Sequence, residues 1–189
     1  MKWTIDPTHS QAEFSVRHMF TKVRGHMVVA SGTVETDDLD PLKTVIVARL
    51  DPSTVNTGVQ VRDDHLRSVD FFDIERYPEI VFHSTAISQT AKDHYAVVGV
   101  LSMRGVDRPV TLHARAAGDG IDPFGNRRAG VSARTTLNRK DFGLQWNRAL
   151  ESGGLLVGDE VDINLEIEAV LEQATQDAIA LLAKSELAG

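Results

Sequence analysis

Apolar and polar residues alternate with a period of two along most of this chain, most cleanly from Val161 to Leu171. There Val161, Ile163, Leu165, Ile167, Ala169 and Leu171 are apolar, Asp162, Asn164, Glu166 and Glu168 lie between them, and only Val170 breaks the polar series. Successive side chains of a strand point to opposite faces, so the segment reads as a strand with one oily and one acidic face. At roughly 3.4 Å per residue it reaches about 37 Å, twice the length of a common strand. A ribbon that long and oily on one side needs a large surface against it.

The same pattern recurs upstream. Lys2 to Ile5 is a short strand closed by Asp6-Pro7, and Ala12, Phe14 and Val16 alternate with Glu13, Ser15 and Arg17. His18 to Lys22 breaks the alternation as a turn or bulge. Arg24 to Glu35 is a long bent strand, with Gly25 and Gly32 suited to bulge and corner geometry. Lys43 to Leu50 is a strand stopped by Asp51-Pro52, and the charged run from Val61 to Val69 predicts a short helix crossing one end of the sheet. Glu79 to Ser88, Tyr95 to Met103, Val110 to Ala114 and Arg128 to Leu137 are further strands, with a turn at Arg104-Gly105 and a long loop from Asn138 to Asp159. About nine strands with clean one-sided alternation predict an all-β fold, an antiparallel sheet closed into a barrel rather than left with open edges. Leu171, Ala174, Ala178, Leu181 and Leu182 change to helical spacing, which predicts an amphipathic helix over Glu172 to Leu187. The division is a barrel domain over 1–171 and a helical extension over 172–189.

Composition narrows the function. The net charge of −7 argues against a nucleic-acid binder, and the absence of cysteine removes disulfides, thiolate metal sites and a cysteine nucleophile. No apolar run suffices for a signal segment or a membrane span, so the chain reads as soluble and cytoplasmic. The expected inward residues, Ala12, Val16, Val29, Gly99, Ala114, Ala129, Val131 and Ala133, are small or medium, and aromatics make up only 6%. Such walls either pack against each other or enclose an apolar tube that a ligand fills; pattern leaves both open.

Seven segments in order carry a resemblance. They are Trp3-Thr4-Ile5-Asp6-Pro7-Thr8-His9-Ser10 with Phe14 to Met19; Val59 to Phe72, including Arg62-Asp63-Asp64-His65-Leu66-Arg67-Ser68; and Tyr77-Pro78-Glu79-Ile80-Val81-Phe82. Gly99 to Val106 with Pro109-Val110, Leu137-Asn138-Arg139-Lys140-Asp141-Phe142-Gly143-Leu144, and the last strand entered through Gly158-Asp159-Glu160 complete the set. Over about residues 2 to 170 the chain resembles the YceI-like family, whose characterised relatives bind polyisoprenoids. The resemblance implies an extended lipocalin-like antiparallel barrel holding a long isoprenoid chain in an apolar pore, commonly as a homodimer. The expected function is non-enzymatic binding, storage or transport of such a lipid, of polyprenyl phosphate or quinone type. The tail after Leu171 lies outside it.

The expected pore residues are Phe14, Val16, Val29, Phe82, Leu101, Val131, Ala133, Trp146, Ile163, Leu165 and Ile167, with Arg17 and His18 beside the head group. Arginine suits a phosphate because its fork donates paired, charge-assisted hydrogen bonds; a surface arginine paired to a carboxylate is the plainer alternative. No cofactor or metal is expected, since the histidines form no HExxH-type cluster and no Gly-x-Ser-x-Gly elbow or phosphate loop occurs. An enzyme acting on a lipid-like substrate through His18 or Asp63-Asp64-His65 is the alternative reading; the charges of that run otherwise cap and solvate the short helix. Arg139 is expected to pair with Asp141 and shape the corner before Gly143.

Overall fold

The computed structural model describes residues 1–173 except 38 and 152, together with residue 177. The amphipathic helix expected over Glu172 to Leu187, and with it the 172–189 extension, lies almost wholly outside the described residues.

Among the described residues nine strands and one α-helix follow in order: β1 (Lys2–Ile5), β2 (Gln11–His18), β3 (Thr21–Glu35), β4 (Val45–Asn56), α1 (Gln60–Arg67), β5 (Ile80–Ala91), β6 (His94–Met103), β7 (Val106–Ile121), β8 (Arg127–Asn138) and β9 (Val157–Leu171). Every pairing is antiparallel, and β4 returns to β3, so the sheet closes on itself. β1 pairs with the far end of β3 and of β9, and β2 with their other ends. The two are therefore one stave, interrupted by the residues from Asp6 to Ser10, and the barrel has eight staves. Eight strands give an interior wide enough either to be filled by side chains or to hold one ligand.

The interruption is stitched rather than loose. Buried Ser10 donates its hydroxyl to the Glu168 carbonyl at 3.2 Å and accepts the Glu168 N–H at 3.0 Å, while the Asp6 carboxylate accepts the Thr8 N–H at 2.9 Å. Outside this point Arg128 clamps three carboxylates, donating to Asp6 and Asp122 at 2.7 Å and to Glu168. Two carboxylates of the outer face of β9 are thus bonded: besides Glu168, Asp162 accepts from Lys22 at 2.8 Å and Thr136 at 3.2 Å.

Three expectations need correction. Asp51-Pro52 does not stop β4, which runs on to Asn56. The register jumps from Val28↔Asp51 to His26↔Asn56, and Pro52 sits in this bulge, where a missing N–H costs no ladder bond. Thr54 fills the gap by accepting the Val28 N–H at 2.9 Å. β7 extends to Ile121 through a bulge between Ala116 and Gly118. β9 begins at Val157, so the loop before it is shorter than Asn138 to Asp159.

Gly25 and Gly32 are required by crowding as well as bending. A Cβ at Gly25 would lie 2.6 Å from the Phe14 ring, and one at Gly32 would lie 2.5 Å from Ile5 and 2.6 Å from the Val47 carbonyl.

The barrel's two ends differ. One is shut by Trp3, Ala169 and Leu171 with Val34 and Ala129. At the other, α1 and the segment after it bring Leu66, Phe71 and Phe72 onto Met27, Val55, Ile80, Met103, Phe142 and Leu144. Among the described residues no helix is long and apolar enough to cross a membrane.

Candidate functional site

A cavity of about 700 Å³ runs inside the barrel. Its walls come from all eight staves and its lining is apolar except for Glu13, His18, Arg62, His65, Thr135 and Arg139. The period-two alternation explains the wall: Val161, Ile163, Leu165 and Ile167 of β9 face inward beside Val131, Ala133, Thr135 and Leu137 of β8. These residues point away from bulk solvent yet are not packed to completion. Val131 keeps 37% of its surface exposed while lining the cavity.

All eleven residues expected in the pore line it: Phe14, Val16, Val29, Phe82, Leu101, Val131, Ala133, Trp146, Ile163, Leu165 and Ile167. Among the smaller inward residues, Ala12 and Ala114 line it too, whereas Gly99 and Ala129 do not. The Phe82 ring lies over Gly99, where a Cβ would come within 2.5 Å of it, and Ala129 belongs to the closed end.

The pair expected at the head group separates. His18 lines the cavity; Arg17 does not, being exposed, with its guanidinium donating to the Phe20 carbonyl at 3.3 Å rather than to a carboxylate. Val16 and His18 line the cavity from alternate positions of β2, which leaves Arg17 on the other face.

The open end is built by α1, Trp146 and the segment leading into β9. Val59, Val61 and Arg62 line the cavity there, and Val59 and Val61 are also exposed to solvent, which marks the mouth. Arg62 is oriented by Thr57, donating from Nε to its hydroxyl at 2.7 Å and from Nη2 to its carbonyl at 3.1 Å. His65, one helical turn on, takes Asp70 on Nε2 at 2.9 Å and packs edge-on to Phe71 and Trp146 at 5.0 and 4.7 Å. The i, i+3 spacing that places Arg62 and His65 on one face of α1 is visible in the sequence, and it was the available signal for Arg62.

Of the remaining charges of α1, Asp64 stays exposed as expected, whereas Asp63 and Arg67 do more than cap and solvate the helix. Asp63 is buried and accepts the Thr57 N–H at 2.9 Å and the Thr57 hydroxyl at 2.5 Å, fixing the turn into the helix. Arg67 ties the helix to β4 through the Ser53 and Val55 carbonyls at 2.7 and 2.9 Å. Asp63, Asp64 and His65 therefore form no acid–base cluster: Asp64 accepts from Gln60 and Arg67, away from the His65–Asp70 pair.

Arg139 also departs from expectation. It is only 4% exposed and faces Asp159 at 3.5 Å, not Asp141. Its Nε donates to the Gly158 carbonyl at 2.8 Å, and Nη1 donates to the carbonyls of Leu144 and Trp146 at 2.5 and 2.9 Å. Burial pulls its pKa below the ordinary guanidinium value, and the Asp159 carboxylate opposes that. This arginine holds the segment carrying Trp146 against the pore, with Gly143 at φ 74° closing the corner.

Among the described residues one group has metal-like spacing, Asp6, His9 and Glu168, whose ligand atoms lie within 4.8 Å of one another. The Arg128 guanidinium bonds to both carboxylates, so a fixed cation already occupies the place of an ion.

Comparison with known proteins accords with this geometry. The model of the YceI-like domain matches residues 3–169. A UPF0312 protein of Staphylococcus aureus (strain MSSA476) is 33% identical over 168 residues, covering 88% of this chain and 95% of its own. One from Azotobacter vinelandii (strain DJ) is 32% identical over 163 residues, covering 86% and 82%. Among solved structures, BcnA of Burkholderia cenocepacia superposes with a TM-score of 0.74 at 21% identity, over 87% of this chain and 98% of its own. A polyisoprenoid binding domain from Saccharophagus degradans, implicated in plant cell wall breakdown, superposes with a TM-score of 0.67 at 15% identity, over 90% and 98%. With a family match over nearly its whole barrel and relatives a third identical along their length, the chain belongs to the YceI-like family.

Proposed function

We propose that this protein binds and carries a long-chain isoprenoid lipid, of polyprenyl phosphate or quinone type, in the barrel cavity and performs no reaction on it. The observation that carries the reading is the cavity: about 700 Å³, walled by apolar side chains, with Arg62, His65 and His18 among its few polar lining residues. That volume is in the range of small-molecule sites, and burial supplies the affinity at roughly 25 cal/mol per Å² of apolar surface. The polyisoprenoid-binding Saccharophagus domain, alike in fold, supports the ligand class. Arg62, already oriented by Thr57, is the group we assign to the head group in place of Arg17, with His18 beside it.

A catalytic role for His18 or the Asp63-Asp64-His65 run has less support. Asp63 and Asp64 are committed to Thr57, Gln60 and Arg67, and the one hydroxyl side chain lining the cavity among the described residues is Thr135.

Mass spectrometry of the organic extract of the purified protein tests the proposal. We expect an isoprenoid lipid in near-equimolar amount, and we expect Ala133→Trp, which puts an indole across the middle of the cavity, to lose it while remaining folded. A protein that takes up no apolar ligand from an isoprenoid-rich extract overturns the reading.

A further inference from the structure

We infer that the rim of the mouth is a docking surface for an anionic lipid bilayer, through which the cavity exchanges its ligand; this rests on the lipid-binding reading above. Three segments meet at the rim. The hairpin between β2 and β3 presents Met19 and Phe20, the start of α1 presents Val59 and Val61, and the segment before β9 presents Leu155. They are joined physically: His18 pairs with Val157, the Met19 N–H donates to the Leu156 carbonyl at 2.9 Å, and His18, Val59, Val61 and Leu156 line one cavity.

Their exposure is extreme for such residues. Phe20 is 83% and Val61 81% exposed. Single exposed apolar residues are unremarkable, but five of them ringing the opening of an apolar cavity form a patch of the kind that marks an interaction site.

Charge selects the partner. The protein carries a net −7, yet Arg17 before the β2–β3 hairpin, Arg62 of α1 and Arg148, whose carbonyl accepts the Leu156 N–H at 2.9 Å, form no ion pair among the described residues. Asp64 and Asp70 on the same side are paired with Arg67 and His65, so arginines without a carboxylate partner beside apolar tips suit a surface with negative head groups above a hydrocarbon layer. Ligand chemistry points the same way. Each methylene exposed on passing through water costs about 0.8 kcal/mol, so a long chain exchanges readily only where the mouth meets a bilayer without intervening water.

The test uses the whole chain and vesicles of phosphatidylcholine with or without phosphatidylglycerol. Co-sedimentation should occur with the anionic vesicles, weaken in high salt, and fall at least about tenfold in Phe20→Asp/Leu155→Asp, two positions outside the cavity lining. The same double variant should still take up ligand from detergent micelles at equilibrium while its transfer to vesicles slows by a similar factor. Absence of vesicle binding by the parent overturns the docking surface, as does a concentration-dependent dimer that the double variant abolishes, since a second copy would then be the occupant. Vesicle binding without any uptake of isoprenoid would instead overturn the ligand reading and leave the docking surface standing.

Discussion

Gly32 is where β1, β3 and β4 crowd most closely, and a methyl group there has nowhere to go. Ile5 could swing its tip aside, but the Val47 carbonyl is backbone and cannot. Gly32→Ala should cost about 1–3 kcal/mol and lower the thermal midpoint by about 3–10 °C, read by circular dichroism; an unchanged midpoint would show that β3 relaxes freely. The sequence marks this glycine as special but attributes it to bending, because which backbone approaches it depends on barrel closure. Asp63 and Arg139 teach the same lesson. Each looks like a surface charge, and each is buried because the chain folds carbonyls or a hydroxyl around it.

At the scale of elements, the stave β1/β2 is broken between Ile5 and Gln11, and Arg128 braces the break through Asp6 and Glu168. The Asp6 carboxyl lies well below the usual carboxylate range, through the Thr8 hydroxyl first and Arg128 next; Asp122 is lowered chiefly by Arg128. A carboxyl whose folded value is depressed adds stability while ionised, and loses that contribution as pH falls through its ordinary value of 3.8 toward the folded one. Arg128→Ala should therefore differ from the parent most at neutral pH, with the gap in urea midpoint narrowing progressively toward about pH 2. A gap independent of pH would mean that Arg128 acts by packing alone. β4 shows the limit of local rules. Asp51-Pro52 is a fair stop signal, overridden because Thr54 and the register jump accommodate it.

At the scale of the molecule, the cavity makes stability and binding one quantity. A ligand that fills it binds only the folded chain, so at about 100 times its dissociation constant it adds roughly 2.7 kcal/mol, or about 5–10 °C in midpoint at this size. Stripping the protein with detergent and restoring an isoprenoid should lower and then recover the midpoint, whereas a water-soluble analogue of the head group alone should not. An equal midpoint in the stripped and loaded protein would mean that the apolar walls gain nothing from the chain.

The sequence by itself determined the alternation of each strand, the side of each that faces inward and the count of nine, because pleat geometry is local and has a period of two. The ten expected wall residues that lie on strands line the cavity for that reason, whereas Trp146 is held there by Arg139. Only the tertiary structure decided that β1 and β2 share a stave, that the walls stand apart rather than packing together, and that Arg62 rather than Arg17 lines the mouth. Those outcomes depend on closure: the diameter of a barrel, and the placement of a helix across its end, follow from pairings between residues far apart in the chain, which no local pattern contains.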